Sequence, residues 1–276
     1  MTGIDRNRVR DSFDRHASEY DLHSGVQKLV IARITELLHE LQIDPRRVLD
    51  IGSGTGLLLK NLSALFPQAR LVGLDLAYSM CLAARANQRE NLSLSLLTGD
   101  AETLPFLDQS FALIVSTSTF QWLGELDRVF SETFRVLAPE GRLLFAMFGE
   151  RTLFELRGSY RQAWEGSGRG AEERTHSFPF LCEIGTALFQ AGFSDVRVFS
   201  EREVEYHHDV PSLLRSLKGI GAANASPVRS RGLAERRVML EMMDIYRREH
   251  GVDGLIPATY EVIYGIASKP SGERNT

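Results

Sequence analysis

Three aspartates, Asp50, Asp75 and Asp100, lie at or beside the ends of short apolar segments. The first of them stands just before a turn in which glycine alternates strictly with other residues: Gly52, Gly54 and Gly56. A glycine-rich turn after a buried strand lets the backbone approach a ligand where any Cβ would collide. Carboxylates beside such a turn can accept hydrogen bonds from hydroxyl and amino groups. The spacing therefore predicts a site for a nucleotide-like ligand.

Two kinds of nucleotide ligand fit these residues. The fingerprint of dinucleotide-binding enzymes requires a glycine where this chain has Leu57. Asp75 can accept both hydroxyls of a ribose, which suits NAD and an adenosyl cofactor equally. Asp100, with the backbone amide of Ala101, can hold the edge of an adenine. The residues alone leave two alternatives without a nucleotide: an ordinary strand-to-helix turn at the glycines and an exposed helix N-cap at Asp75.

The G-x-G-x-G turn after Asp50 resembles motif I of class I S-adenosylmethionine-dependent methyltransferases, and the run D-A-E-T-L-P-F from Asp100 to Phe106 resembles their adenine-binding segment. A sulfonium cofactor with an amino-acid tail also gains more from a nearby carboxylate than a pyrophosphate does. The resemblance implies S-adenosyl-L-methionine as the cofactor and S-adenosyl-L-homocysteine as its product. It implies cofactor contacts from Tyr20, Asp50, Gly52, Gly54, Gly56, Asp75, Leu76, Asp100, Ala101, Glu102 and Ser116.

Apolar strand patterns alternate with helical patterns along the first half of the chain. We predict strands at 48–51, 70–74, 92–98, 111–117 and 141–148, with helices at 56–65, 79–87 and 126–137. This order favours an α/β fold with a doubly wound, mostly parallel sheet, whose ligands bind beyond the carboxyl ends of the strands. The remaining chain predicts helices at 152–164, 181–191, 211–220 and 233–249 and strands at 193–206 and 261–268. These two strands match the sixth and seventh strands of the resembling fold, in which the seventh strand is antiparallel.

We expect a single domain over residues 1–276. Its three parts would be N-terminal lid helices at 5–41, a cofactor-binding core at 46–148, and acceptor-side helices with the last two strands at 149–268. Residues 5–21 carry only a thin apolar stripe of Val9, Phe13 and Tyr20, which is too little to form a core and predicts a lid. The segment also resembles the F-x-x-x-A-x-x-Y-D opening of small-molecule methyltransferases. A plain amphipathic surface helix is the alternative.

Composition excludes several classes of protein. A net charge of −4, with 43% hydrophobic and 25% charged residues, indicates neither a nucleic-acid partner nor a membrane. The chain has two cysteines, Cys81 and Cys182, which are far apart in sequence. We therefore expect no disulfide framework and a location in the reducing cytoplasm. Both cysteines are expected to be small buried side chains. His207 and His208 are adjacent on a predicted strand and point to opposite faces, so no metal is expected.

Several longer strings resemble the malonyl-acyl-carrier-protein O-methyltransferase family of biotin synthesis. They are Phe120-Gln121-Trp122, the G-x-x-T-x-x-E-L string at 149–156, and S-L-K-G-I-G-A at 216–222. The resemblance extends from Val9 to Ala267. It implies methylation of the free carboxylate of a malonyl thioester on acyl carrier protein, which masks the primer for biotin precursor synthesis. The loop after the fourth strand lacks the N/D-P-P-Y/W tetrapeptide typical of enzymes that methylate adenine or glutamine.

The chemistry needs no general base, because a malonyl carboxylate is already ionised at neutral pH. We expect Tyr20, Gln121 and Trp122 to wall the methyl-transfer site, although Trp122 also suits an ordinary core position. One cation should orient the carboxylate, and Arg151, Arg157 and Lys218 are the candidates.

A basic segment lies near the end of the chain. The segment from Pro211 to Arg237 contains six basic residues and one acidic residue, so its net charge is +5. Such a segment would attract an acidic carrier protein. A solvated helix face without a partner is the alternative. Other readings of the whole chain are methylation of malonyl-coenzyme A, of another small acid or of a quinone, and a non-catalytic regulator that binds the same cofactor.

Overall fold

A computed structural model describes residues 5–88, 94–168, 178–221 and 233–271. One sheet of seven strands has the order β3-β2-β1-β4-β5-β7-β6. The strands are β1 (Arg47–Ile51), β2 (Arg70–Asp75), β3 (Leu94–Thr98), β4 (Phe111–Thr117), β5 (Leu137–Phe148), β6 (Ser194–His207) and β7 (Ile256–Ser268).

Helices cover both faces of this sheet. They are α1 (Arg6–His16), α2 (Tyr20–His23), α3 (Gly25–Glu40), α4 (Leu57–Leu65), α5 (Tyr78–Ala86), α6 (Leu126–Val136), α7 (Phe154–Gly166), α8 (Leu181–Gln190), α9 (Val210–Gly219) and α10 (Leu233–His250), with a 3₁₀ turn at Phe120–Trp122. In the described ranges no helix combines the length and apolar character that crossing a bilayer requires.

The strand directions confirm the predicted topology. β1 is parallel to β2 and β4, and β3 and β5 extend the parallel part on either side. β7 lies between β5 and β6 and is antiparallel to both, as expected for the last strand. Val48, Leu49 and Ile51 of β1 are completely buried, because helices cover both faces of a parallel sheet.

Two hydrophobic cores lie on opposite faces of the sheet. One packs α3, α4, α7, α9 and α10 against it, and the other packs α6 and α8. The doubly wound α/β fold predicted from the order of elements is therefore confirmed. The carboxyl ends of β1, β2 and β4 consequently share one edge, where the predicted site residues converge.

Three predicted boundaries were wrong. The predicted helix at 5–21 breaks after His16 and resumes at Tyr20 as α2. β5 begins at Leu137, before the predicted start at residue 141, because Leu137 pairs with Phe111 ahead of the turn around Glu140 (φ 63°). β7 begins five residues early, at Ile256, because the long strand β6 pairs with it as far as His207.

Candidate active site

A cleft of about 680 Å³ lies at the carboxyl ends of the parallel strands, beneath α1. We call it the main cleft. The glycine turn after β1 forms one wall, the end of β2 another, and the loop after β4 the third. Val9 and Phe13 of α1 close it from above. The stripe that predicted a lid helix therefore faces the cleft.

The three glycines of the turn have different roles. All have positive φ, at 75° for Gly52, 51° for Gly54 and 84° for Gly56. A Cβ on Gly52 would collide with the side chain of Thr119, and one on Gly56 would meet Ala84 at 3.1 Å. A Cβ on Gly54 would meet no protein atom within 4 Å. Gly56 therefore packs α4 against α5, whereas Gly54 presents bare backbone to the cleft.

Asp75 lies where β2 ends and lines the main cleft. Its two carboxylate oxygens accept hydrogen bonds from the backbone N–H of Gly54 at 2.9 Å and of Ala77 at 2.8 Å. Each oxygen keeps a second acceptor site for a ligand hydroxyl. Burial raises the pKa of Asp75 to about 6, although the backbone donors oppose the shift. The carboxylate is thus mostly ionised at neutral pH.

Asp50 lies behind the glycine turn and is 1% exposed. Neither carboxylate oxygen has a hydrogen-bond partner among the described residues. Burial, and secondarily the charge of Asp75, raise the pKa of Asp50 to about 8. A buried carboxyl group without a partner is costly, so this position suits a ligand that brings a positive charge or a donor.

The segment after β3 is tied to the lid helix. Arg6 of α1 forms ion pairs with Asp100 and with Glu102, the latter at 2.8 Å. Asp100 also accepts a hydrogen bond from the backbone N–H of Glu102 at 2.8 Å, and Ala101 lines the main cleft. Asp100 and Glu102, which were predicted to contact the cofactor, therefore hold α1 in place in this structure.

Two further contacts seat α1 on the body of the protein. Asp14 accepts a hydrogen bond from the backbone N–H of Ser79 at 2.7 Å, at the start of α5. Ser12 donates to the backbone carbonyl of Gly221 at 2.8 Å, just beyond α9. α1 is thus anchored both at the start of α5 and just beyond α9.

Two smaller cavities adjoin the main cleft. The aromatic cavity, of about 410 Å³, is lined by Phe13, Tyr20, Gln27, Ser118, Gln121, Trp122, Phe148, Thr152, Leu153, Phe178, Leu217, Ile220 and Tyr260. The α3 cavity, of about 400 Å³, lies between α3 and the glycine turn and includes Ser53 and Lys28. Tyr20 and Ser118 line all three spaces. Burial raises the pKa of Tyr20 above its usual range, so Tyr20 is a neutral hydroxyl at physiological pH.

The structure brings some of the predicted catalytic residues together and separates others. Tyr20, Gln121 and Trp122 meet at the aromatic cavity. Arg151 instead lines a different cavity, with Glu201, Arg202 and Glu261 among its neighbours. Lys218 is exposed on the outer face of α9, because Leu213 and Leu217 occupy the inner face. Arg157, the third candidate cation, donates to the backbone carbonyl of Glu150 at 2.6 Å.

Some of the predicted cofactor residues line the main cleft, and others do not reach it. Tyr20, Gly52, Gly54, Asp75, Leu76 and Ala101 line the main cleft. Ser116 does not reach it, because its hydroxyl donates to the backbone carbonyl of Ile51 at 2.8 Å inside the sheet. Gly56 packs between helices, and Asp50, Asp100 and Glu102 stand behind the lining residues.

Sequence reasoning did not single out Gln27, Lys28 or Ser118. Gln27 is buried at the start of α3, and its polarity on an otherwise apolar helix face was the only available signal. Lys28 donates to the backbone carbonyl of Asp21 at 2.6 Å and borders the α3 cavity. Within the described part of the chain no group of His, Cys, Asp and Glu side chains could hold a metal ion.

Comparisons with solved structures place the fold. YcgJ from Bacillus subtilis superposes with a TM-score of 0.60 at 18% identity over 87% of this chain and 100% of that protein. Phosphoethanolamine N-methyltransferase 2 of Haemonchus contortus, in complex with S-adenosyl-L-methionine, has a TM-score of 0.59 at 18% identity over 95% of this chain and 60% of its own. At such identities the likeness concerns the fold alone.

Sequence comparisons place the family. A model of the methyltransferase domain matches residues 49–145. Malonyl-acyl-carrier protein O-methyltransferase of Geobacter sulfurreducens is 50% identical over 96% of this chain and 100% of its own length. The protein of that name from Halorhodospira halophila is 36% identical over 96% of this chain and 88% of its own. With the cleft at the strand ends and the lid above it, these relationships show that the chain belongs to the malonyl-acyl-carrier protein O-methyltransferase family.

Proposed function

We propose that this chain binds S-adenosyl-L-methionine in the main cleft and methylates the free carboxylate of a malonyl group carried on acyl carrier protein. The observation that supports this most strongly is the connection between two spaces. Tyr20, Ser118 and Trp122 line both the main cleft and the aromatic cavity. A cofactor in one space and an acceptor in the other would therefore meet at these side chains. The methyl ester formed would be the masked primer for biotin precursor synthesis.

The residues of the main cleft suit this cofactor. Asp75 offers two ionised oxygens for the ribose hydroxyls, and the bare backbone at Gly54 allows close approach. The unpartnered carboxyl group of Asp50 suits the positively charged amino group of the cofactor's tail. Lys28, at the border of the α3 cavity, suits its carboxylate. Ala101 lies where the adenine edge would be held.

When bound, the cofactor supplies an electrophilic methyl group on a positively charged sulfur. The protein's part is to hold the acceptor carboxylate in line with that methyl group and to exclude water. Well-oriented reactants can gain roughly 7–11 kcal/mol relative to free ones. The aromatic cavity, walled by Phe13, Trp122, Phe148 and Tyr260, supplies a poorly hydrated surface for this purpose. Tyr20 is a neutral hydroxyl, so it contributes a hydrogen bond and not proton transfer.

The acceptor assignment is tested by methyl incorporation. The chain is incubated with S-adenosyl-L-methionine labelled on its methyl group and with malonyl-acyl carrier protein, malonyl-coenzyme A or malonate. We expect label in the malonyl-carrier protein as an ester that mild base removes. Incorporation into malonate alone, or into neither thioester, would contradict the proposed function.

Arg215 and Lys218 on the outer face of α9 are proposed to guide the carrier protein. They are exposed, while Leu217 of the same helix lines the aromatic cavity, so a carrier docked here lies close to the acceptor. Two other residues of the predicted basic segment, Arg229 and Arg231, lie outside the described residues. We expect the double charge reversal Arg215→Glu with Lys218→Glu to raise KM for malonyl-carrier protein about tenfold at low salt, because attraction becomes repulsion.

Steady-state kinetics with both thioesters checks this prediction. KM for malonyl-coenzyme A should change less than about twofold, and added salt should reduce the difference with the carrier protein. The control reverses two exposed charges elsewhere, Arg85→Glu with Arg247→Glu, and should leave both KM values unchanged. An equal loss with the two thioesters would show that α9 is not a docking face.

Asp50 makes cofactor binding dependent on pH. Because its pKa is about 8 in the ligand-free chain, Asp50 binds a proton at pH 7 that an unfolded chain, with a pKa near 4, has lost. This group therefore stabilises the fold most below about pH 4, and its contribution is lost as pH rises through 8. A cationic group beside the carboxylate favours the ionised form. We expect binding of S-adenosylhomocysteine at pH 7 to release close to one proton.

Calorimetry in two buffers of different ionisation enthalpy measures this release. It should shrink above about pH 9, where Asp50 is already ionised, and Asp50→Asn should abolish most of it. The remaining release in that variant reports Asp75, whose pKa of about 6 leaves it largely ionised at pH 7. Binding by the wild type without proton release at pH 7 would contradict the proposed role of Asp50.

We propose a cytoplasmic location for this reaction. Cys81 and Cys182 are both free thiols, in keeping with a reducing compartment. Cys81 is buried as predicted, but Cys182 is exposed, so its prediction as a buried side chain was wrong. It lies in the first turn of α8, and the face of that helix toward the sheet is formed by Ile184, Ala187 and Leu188.

A further inference from the structure

Ser118 lies at the junction of the three cavities, directly after β4. Like Tyr20, it lines the main cleft, the aromatic cavity and the α3 cavity. If the proposed function holds, the methyl group crosses from cofactor to acceptor at this junction. A polar side chain here can act on the reacting groups themselves.

The backbone of Ser118 adopts a conformation that few residues other than glycine tolerate. Its φ is 53°, in the left-handed region. Two hydrogen bonds fix this conformation: the N–H of Ser118 donates to the carbonyl of Ala146 at 2.8 Å, and its carbonyl accepts from Nε2 of Gln121 at 2.7 Å. Strained backbone that neighbouring structure holds in place is typical of functional sites. Here β5 and the 3₁₀ turn direct the Ser118 side chain into the junction.

The hydroxyl of Ser118 is buried and has no hydrogen-bond partner among the described residues. Two nearby hydroxyls, those of Ser116 and Thr119, have partners. Ser116 donates to Ile51 at 2.8 Å, and Thr119 donates to the carbonyl of Thr117 at 3.0 Å. Buried hydroxyls in proteins nearly always find a partner. The partner of Ser118 Oγ is therefore to be sought in a ligand.

We propose that the Ser118 hydroxyl donates a hydrogen bond to the acceptor carboxylate and orients it for methyl transfer. One carboxylate oxygen accepts this bond, while the other forms the new bond to the methyl carbon. The bond between methyl and sulfur breaks, its electron pair stays on sulfur, and no proton is transferred. The positive charge of the sulfonium already attracts the carboxylate. A neutral donor can thus fix the direction of attack without neutralising the nucleophile as a close cation would.

Three substitutions at this position separate the hydroxyl from the backbone. Ser118→Ala removes the hydroxyl. Ser118→Gly removes it and also suits the positive φ. Ser118→Asn tolerates the left-handed region and restores a donor. We expect kcat for the malonyl thioester to fall about 10- to 100-fold in the Ala and Gly variants, as for loss of one hydrogen bond to a charged group, and to recover in part with Asn.

Binding of S-adenosylhomocysteine should stay within about threefold of the wild-type value in all three variants, since the role concerns the acceptor. Ser131→Ala is the matched control, because that exposed serine on α6 donates only to the carbonyl of Asp127 within its own helix. It should leave kcat unchanged. Thermal unfolding of each variant shows whether the fold is retained.

Distinct results overturn this proposal. Wild-type kcat in Ser118→Ala would show that the hydroxyl is not used. Recovery of kcat in Ser118→Gly, with none in Ser118→Asn, would show that only the backbone matters. A loss confined to cofactor affinity would reassign the hydroxyl to the cofactor. If the wild type methylates no malonyl thioester, the proposed function fails first; if it does and Ser118→Ala is fully active, only this inference fails.

Discussion

Replacing Asp75 with alanine is expected to weaken the binding of S-adenosylhomocysteine at least about 100-fold. The carboxylate faces the main cleft and can accept one bond from each ribose hydroxyl. A hydrogen bond to a charged group contributes about 1.5–3 kcal/mol, so losing two costs about 3 kcal/mol or more, which is a factor of at least about 100 in Kd. Asp75 also accepts from the backbone N–H groups of Gly54 and Ala77, so the substitution loosens the glycine turn as well.

Isothermal titration calorimetry measures this loss directly. Asp75→Asn is the informative comparison, because its amide keeps one acceptor oxygen of similar shape but lacks the charge. Its affinity should lie between those of the wild type and Asp75→Ala. In kinetics the change should raise KM for S-adenosylmethionine far more than it lowers kcat, because ribose contacts are made before and during methyl transfer alike. If Asp75→Ala bound S-adenosylhomocysteine within about fivefold of the wild-type affinity, the ribose would not be bound by Asp75.

The second large effect concerns Gly54 and Gly52 of the glycine turn. Replacing Gly54 should impair ligand binding, whereas replacing Gly52 should impair folding. Gly54→Ala places a methyl group in open space, so we expect the ligand-free protein to lose only about 1–2 kcal/mol for an alanine at positive φ. The same methyl group would occupy the surface that the cofactor approaches. Binding of S-adenosylhomocysteine should therefore fall at least about 100-fold while the fold persists.

Gly52→Ala should instead damage the fold. Its Cβ would collide with the Thr119 side chain, including Thr119 Cβ at 2.7 Å, and would add strain at a φ of 75°. We expect a loss of several kcal/mol in the free energy of unfolding, as for overpacked buried positions. Combining Gly52→Ala with Thr119→Gly should restore part of that stability. Denaturant unfolding and ligand titration on the same samples separate the two defects. Equal affinity in wild type and Gly54→Ala would show that the cofactor does not approach this turn.

Much of the lining of the main cleft was predictable from local sequence. The glycine turn, Asp75 and Ala101 line the cleft where strands β1 to β3 end, as expected from the order of elements. These residues follow their strands directly, so the direction of the chain already determines which edge of the sheet they occupy. Ser116 shows the limit of that reasoning. It stands near the end of β4, but its side chain points into the sheet, and alternation along a strand depends on a register that sequence alone does not reveal.

The structure separates the residues that were predicted for the acceptor. Arg151 and Lys218 were candidates because a cation in an accessible loop could orient the acceptor carboxylate. In the structure Arg151 lines a separate cavity and Lys218 faces outward on α9. Which face a helix buries follows from its apolar residues, and on α9 Leu213 and Leu217 take that face. Ser118, in contrast, is an unremarkable residue by type. Its proposed role rests on a positive φ and on a hydroxyl without a hydrogen-bond partner among the described residues, which are properties of the folded chain.

By itself the sequence determined the fold class and the edge of the sheet at which the main cleft opens, because strand and helix periodicity, turn glycines and strand-end acids all act between residues close together in the chain. The family followed from the resemblance of longer strings. Only the tertiary structure decided which distant side chains share the aromatic cavity. Tyr20, Ser118, Leu217 and Tyr260 come from four elements up to 240 residues apart. Their meeting depends on how α1, α2 and α9 pack over the sheet, and that packing is set by contacts among non-neighbouring residues that no local pattern encodes.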